Sequence, residues 1–202
     1  MSAWPGIARR LEGRIVAMEP VAPEHEAGLA VAAAHPEIWT WLDDYVGETP
    51  ERFSAWFSEL RAATAAGDEQ AFITVARATG APIGSSRFLA MRPVDRVLEI
   101  GWTWLTPAAW RTGVNVEAKL LMLSHAFDNL GCVRVEFKTD ARNDQSRQAI
   151  EAIPAQFEGI FRKHKATRRV GQRDSAYYSV IDDEWPGVRA NLERRLEARV
   201  HA

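Results

Sequence analysis

From Gln70 onward the sequence changes character, with three β-type runs at residues 71–78, 82–91 and 97–105, joined by Thr79-Gly-Ala-Pro82 and by Arg92-Pro-Val-Asp-Arg96. Links this short cannot carry the crossover that parallel strands need, so the three runs form an antiparallel meander. A sheet of this kind needs helices to bury its faces, and the flanking segments supply them. Pro23 opens a helix over 24–35, residues 38–42 make a short aromatic helix or turn, and Thr49 or Pro50 starts a helix ending at Ala66 before Gly67-Asp68. Within the last of these, Phe53, Trp56, Phe57 and Leu60 recur at helical spacing, as expected for a buried face.

Beyond the meander, 117–130 forms a helix capped by Gly131, and 132–140 alternates Val133, Val135 and Phe137 against Arg134, Glu136 and Lys138, a strand with one polar face. A short helix over 146–152, strands at 156–163 and 175–181 with a long connection between them, and a terminal helix from about Glu184 to Val200 complete the chain. The expectation is a single α+β domain spanning 1–202. At 47% hydrophobic and 26% charged, the composition suits a packed core and excludes a disordered chain. A net charge of -2 gives no global case for a nucleic-acid binder, although Arg162, Lys163, Lys165, Arg168 and Arg169 form a local basic strip. Cys132 is the only cysteine, so no intrachain disulfide can form. With no signal-peptide core in 1–11 and no run of apolar residues long enough to span a membrane, a cytoplasmic location and no membrane partner are expected.

One junction carries chemistry. The run Glu99-Ile-Gly-Trp-Thr-Trp-Leu105 turns through 106–110 into Arg111-Thr-Gly-Val-Asn115 and then a helix. A glycine loop feeding a helix N-terminus presents unpaired N–H groups and the positive end of the helix dipole, a combination suited to phosphate. A simple turn has the same local signature.

The ordered neighbours of this loop decide between the two. Trp110-x-x-Gly113-x-Asn115-x-Glu117-Ala118-Lys119 is similar to the pyrophosphate loop of the GNAT acyltransferases, closest to the branch of ribosomal-protein N-terminal (alanine/serine) acetyltransferases. Val133-Arg-Val-Glu-Phe-Lys-Thr-Asp140, Asn143-Asp-Gln-Ser146, Phe157-Glu-Gly-Ile-Phe-Arg162 and Arg173-Asp-Ser-Ala-Tyr-Tyr-Ser179 extend the resemblance over about residues 10–190. It implies a GNAT-like central mixed, mostly antiparallel sheet with helices on both faces and a splayed strand pair, one strand ending near Leu105 and the other near Asp140. It further implies acetyl-CoA as acyl donor, no metal, and an amine attacking the thioester directly.

By the same resemblance, Trp110, Arg111, Thr112, Gly113, Val114 and Asn115 hold the pyrophosphate, while the backbone of Trp102, Thr103, Trp104 and Leu105 binds pantetheine and polarises the carbonyl. Asn143 contacts pantetheine and Ser146 lies near the sulfur, where it could donate to the thiolate. Both also suit local helix capping. The attacking amine must be neutral, which calls for a base or a water relay. Glu99 is the candidate base, the alternative being a surface carboxylate. Tyr178 is taken as a catalytic residue, although Tyr177 and Tyr178 alternate faces and the sequence does not choose between them. His164 is expected to be an exposed hairpin histidine. Met91, Trp39, Trp41 and Tyr45 together suggest an apolar roof over the acceptor.

Two departures from the family pattern stand out: Asn115 replaces Gly or Ala, a residue that suits a helix cap, and Ile153-Pro154 replaces a Leu-Gly pair. Residues 167–172 also lack a Pro-Asp-Gly turn. The acceptor is expected to be a protein N-terminus or a small-molecule amine. The alternatives are a transferase of the same fold using aminoacyl-tRNA or another acyl donor, with the basic strip contacting phosphate, and a non-catalytic CoA-binding module. A homodimer through strand pairing or terminal-helix packing is neither required nor ruled out.

Overall fold

Strands β1 (Leu11–Glu12), β2 (Val16–Pro20), β3 (Gln70–Ala76), β4 (Pro82–Arg92), β5 (Val97–Leu105), β6 (Arg134–Asp140), β7 (Gln156–Thr167) and β8 (Gly171–Ile181) form one sheet in the order β1-β2-β3-β4-β5-β6-β8-β7. The computed structural model describes residues 4–42, 45–167 and 171–200. Every strand pairing is antiparallel except β5 with β6. That parallel pairing needs a crossover, and α3 (Val114–Ser124) with the π-helical turn His125–Asn129 supplies it. Helices α1 (Glu26–Ala33) and α2 (Pro50–Ala66) precede the meander, α4 (Asp144–Glu151) follows β6, and α5 (Trp185–Val200) closes the chain.

The strand alternation separates two cores. Ala71, Ile73 and Val75 of β3 pack with Leu29, Phe53, Phe57, Leu60 and Trp104 beneath α1 and α2. Phe72, Phe88, Leu98, Ile100, Val135, Phe137 and Tyr178 face Met122 and Leu123 of α3 and Leu192 of α5. The aromatic stripe of α2 is therefore core, as its spacing predicts. Thr49 caps α2 by accepting from Arg52 N, and Gly67 ends it at φ 79°.

Several boundaries differ from the sequence reading. The aromatic segment is a short 3-10 turn at Pro36–Trp39, and α3 starts at Val114, so the glycine loop runs directly into it. Strands β7 and β8 extend through what the sequence suggests is a connection, pairing as far as Thr167↔Gly171. Arg168 and Arg169, two of the five residues in the basic strip, lie outside the described residues.

Candidate active site

The β5–β6 pairing lasts only from Val97↔Arg134 to Glu99↔Glu136, and then the strands part. Residues 100–105 of β5 lose their partner on that side while β4 continues to pair on the other, as far as Gly84↔Leu105. Opposite Ser86 the β4–β5 register slips, from Ser85↔Trp104 to Arg87↔Gly101, so β5 carries one extra residue. Trp102 takes φ 48°, a left-handed conformation that is costly for a bulky residue. The bulge changes the alternation: Ile100 faces the α3 core and Thr103 meets a side chain of α3, whereas Trp104 joins the α1–α2 core.

At the far end of the splay the loop is braced by its own side chains. Trp110 Nε1 donates to Leu105 O at 2.8 Å, and Thr112 Oγ1 donates to Ala109 O at 2.7 Å. Gly113 is the N-cap of α3 with φ 96°, and a Cβ there would meet Arg199 Cβ of α5 at 3.2 Å. Arg199 also donates to Arg111 O at 3.2 Å, so the last turn of α5 packs on the loop. The N–H groups of Arg111, Thr112 and Gly113 have no acceptor among the described residues, and those of the first helical turn have none within the helix. This row of free donors at a helix N-terminus fits a pyrophosphate. Asn115 is not the cap: it lies two residues inside the helix, with its buried Oδ1 unbonded.

Two residues of the 110–119 motif, Glu117 and Lys119, support this region through contacts that the sequence did not show. Glu117 is buried and accepts from the backbone N–H groups of Arg14, Ile15 and Val16 at 2.6–2.7 Å, anchoring the β1–β2 turn to α3. A Cβ on Gly13 would lie 2.4 Å from the Glu117 carboxyl carbon, which explains the glycine. Lys119 is buried under β4 and β5, where desolvation pulls its pKa down to about 7.

On the α1–α2 face of the sheet, β5, β6 and β8 present a polar file. Glu99 is only 3% exposed and pairs with Lys138 Nζ at 2.7 Å. Burial pushes its carboxyl above the usual carboxylate range, and the Lys138 ammonium opposes that shift. Lys138 lies opposite Tyr177 on β8. The Tyr177 hydroxyl is 3.0 Å from His164 Nε2, whose Nδ1 lies 3.0 Å from Ser175 Oγ. Phe161 stacks on Tyr177 at 4.2 Å. Desolvation raises the Tyr177 pKa, and desolvation followed by the Lys138 and Arg173 charges lowers that of His164, which favours a neutral ring. An open cavity of about 650 Å³ lined by Phe161, Arg162, Lys163, His164 and Asp174 adjoins this file.

The strand register settles the facing of the tyrosine pair. Tyr178 pairs with Phe137 and is fully buried on the α3–α5 face, accepting from Arg147 Nε and donating to Glu151 of α4, each at 2.9 Å. Tyr177, not the expected Tyr178, shares the face of Glu99, because pairing puts Tyr177 beside Lys138. Asn143 caps α4, its Oδ1 accepting from Ser146 N at 3.0 Å, while the Ser146 hydroxyl has no partner among the described residues. The expected aromatic roof divides. Trp39 is buried against Trp104 at 5.3 Å and Tyr45 packs on Trp39, so both belong to the core. Met91 packs on the opposite core, and only Trp41, with the Arg142 guanidinium 5.8 Å from its ring, remains exposed. Ile153 is buried in the α3-side core and α4 ends at Glu151, ahead of Pro154.

A second buried ion pair was not anticipated. Arg87 donates to both oxygens of Glu69 at 2.9 and 3.1 Å and lies over the Trp102 ring at 4.6 Å and the Trp56 ring at 5.5 Å. It packs against the Trp102 side chain at the bulge. No helix among the described residues is long and apolar enough to cross a membrane.

Comparison with known proteins agrees with this geometry. The family model of the GNAT acetyltransferase domain matches residues 16–156. A GCN5-related N-acetyltransferase from Brucella melitensis is 31% identical with a TM-score of 0.87, covering 94% of this chain and 86% of that one. RimJ of Mycobacterium smegmatis, solved with CoA-disulfide, has the same fold at 20% identity and a TM-score of 0.81, covering 95% of this chain and 96% of its own. A GNAT-family acetyltransferase from Bacillus anthracis superposes with a TM-score of 0.71 at 16% identity, covering 87% and 99%. No curated protein gives a significant match. A splayed β5–β6 pair, a bulged β5 and a donor-rich helix N-terminus, together with the matched domain, make this chain a member of the GNAT family, an acetyl-CoA-dependent N-acetyltransferase.

Proposed function

We propose that the protein acetylates an exposed primary amine, and that Glu99 is the base that readies it. The observation carrying this reading is the buried Glu99 carboxylate beside Lys138 at 2.7 Å, at the point where β5 and β6 part. Acetyl-CoA supplies the activated acyl group. The free N–H groups at 111–113 and the first turn of α3 would hold its pyrophosphate, with Asn143 Nδ2 and the parted edge of β5 toward the pantetheine. Within Trp102, Thr103, Trp104 and Leu105, the backbone N–H groups that face the parted edge and not β4 would donate to the carbonyl oxygen as charge develops on it.

An amine arriving protonated must lose a proton before its lone pair can attack the carbonyl carbon. A carboxylate whose proton affinity is raised by burial accepts that proton more readily than an ordinary surface one. Lys138 opposes the effect of burial on Glu99, favouring its ionised form, and orients the carboxylate. As the tetrahedral intermediate collapses, the nitrogen loses its second proton and the departing thiolate gains one, with the Ser146 hydroxyl as the candidate relay between them. Tyr177, held by His164, lines the acceptor side.

The acceptor class follows from the openness of that side. Phe161 is 53% exposed next to Tyr177, and the adjoining cavity is open rather than enclosed by aromatic walls. Trp39 and Trp104, which could have formed such walls, are consumed in the core. An open cleft suits an extended acceptor, so a polypeptide N-terminus is the first choice over a small amine. Thiol release from acetyl-CoA with a panel of N-terminal peptides and small amines tests this. The expected result is turnover of peptides with loss in E99Q of about 10²- to 10⁴-fold in kcat/KM. Turnover confined to small amines would reject the peptide acceptor, and full activity in E99Q would reject the base.

A further inference from the structure

Lys119 is buried, and among the described residues no carboxylate pairs with it. Glu117, the nearest acid on its helix, is engaged with three backbone N–H groups. A helix-to-sheet contact ordinarily takes an apolar side chain, since a buried amine is costly unless fully bonded. Lys119 Nζ donates to Thr103 Oγ1 at 2.6 Å and to Ser86 Oγ at 3.2 Å, and the two hydroxyls are 2.7 Å apart. Ser86 Oγ further reaches Gly101 O at 3.5 Å.

This triangle sits where the backbone ladder fails. Ser86 is the β4 residue opposite the bulge, and Thr103 follows Trp102, the residue held at φ 48°. Such strain persists only where the surroundings over-determine it, and here side chains replace the missing ladder contacts. Burial pulls the amine down to about 7, so the neutral form is accessible near neutrality, and it can donate to one hydroxyl and accept from the other, closing the ring without a counter-ion.

We propose that Lys119, acting through Thr103 and Ser86, is the positioning residue that fixes the β5 bulge and so aims the edge-facing backbone N–H groups within residues 102–105 at the thioester oxygen. The proposal rests on the reading of those groups as carbonyl donors. It makes a prediction that simple packing does not. CoA lacks the acyl carbonyl, and its pyrophosphate is held away from the bulge, so its binding should depend on the aim of those donors much less than acyl transfer does.

The test uses the full chain with Lys119→Met, and with Thr103→Val as a near-isosteric second variant should the first fail to fold. Expected are a fall in kcat of at least about tenfold, toward the range for loss of an oxyanion donor, a clearly smaller fall in CoA affinity, and faster amide exchange in the 101–105 segment. The double variant should be no worse than the more impaired single one. Folded variants with unchanged kcat, or with CoA affinity falling in step with kcat, overturn the proposal. Should the parent itself transfer no acetyl group while the variants accelerate exchange at 101–105, the acyl-transfer reading fails and the anchoring of the bulge stands.

Discussion

Lys138 and Glu99 tune each other. Removal of the water around Glu99 favours its protonated form, and the ammonium 2.7 Å away favours the ionised one, with burial the larger effect. A base works only when ionised, so kcat/KM should rise with pH through the elevated Glu99 titration. In Lys138→Met the opposing charge is gone, and the acidic limb of the pH–rate profile should move to higher pH. A limb that stays in place, or moves down, would show that another group titrates. The sequence marked Glu99 as a candidate from its place on the strand before the splay. It could not mark Tyr177 over Tyr178, because two adjacent residues of a strand differ only in face, and that is set by pairing with Lys138 and Phe137 across the sheet. Glu117 and Lys119 stood in the motif that carried the resemblance, but what they hold was not legible there, because their partners lie 16 to 103 residues away in the chain.

At the scale of the element, α3 does two jobs. Its N-terminus offers free N–H groups to phosphate, and its buried side carries Glu117 and Lys119 to the β1–β2 turn and to the β5 bulge. Gly113 makes the first job possible, since its φ of 96° is one that other residues rarely adopt and a Cβ would crowd Arg199. Gly113→Ala should therefore raise KM for acetyl-CoA about tenfold or more, equivalent to about 1.4 kcal/mol, with kcat at saturation much less affected. Steady-state titration of acetyl-CoA checks this, and an unchanged KM would remove the loop from the binding site. The existence of α3 was legible from the glycine and the apolar period. Its start was set too late, at 117 instead of Val114, because Val114 and Asn115 are poor helix formers that only the packing of the loop against α5 holds in place.

For the whole molecule, donor binding at the proposed site would bridge structures far apart in sequence: the parted edge of β5, the α3 loop backed by α5, and the Asn143 cap of α4. A ligand bound only by the assembled fold stabilises it, by about 2.7 kcal/mol at a hundredfold excess over Kd. In a chain of 202 residues this corresponds to a rise in Tm of about 5–10 °C. Thermal denaturation with CoA should show that rise, reduced in Gly113→Ala and retained in Glu99→Gln. No shift with CoA would argue against a donor site built from these elements. The sequence by itself determined the order of elements, the α+β class, the antiparallel meander and the glycine loop that enters α3, because short links, glycine and apolar period act over a few residues. Only the tertiary structure decided which tyrosine faces Glu99, that Trp39 and Trp104 are core rather than cleft wall, and that β5 bulges over a buried lysine. Those are facts of register and burial, fixed when strands from distant parts of the chain pair and a helix closes over them.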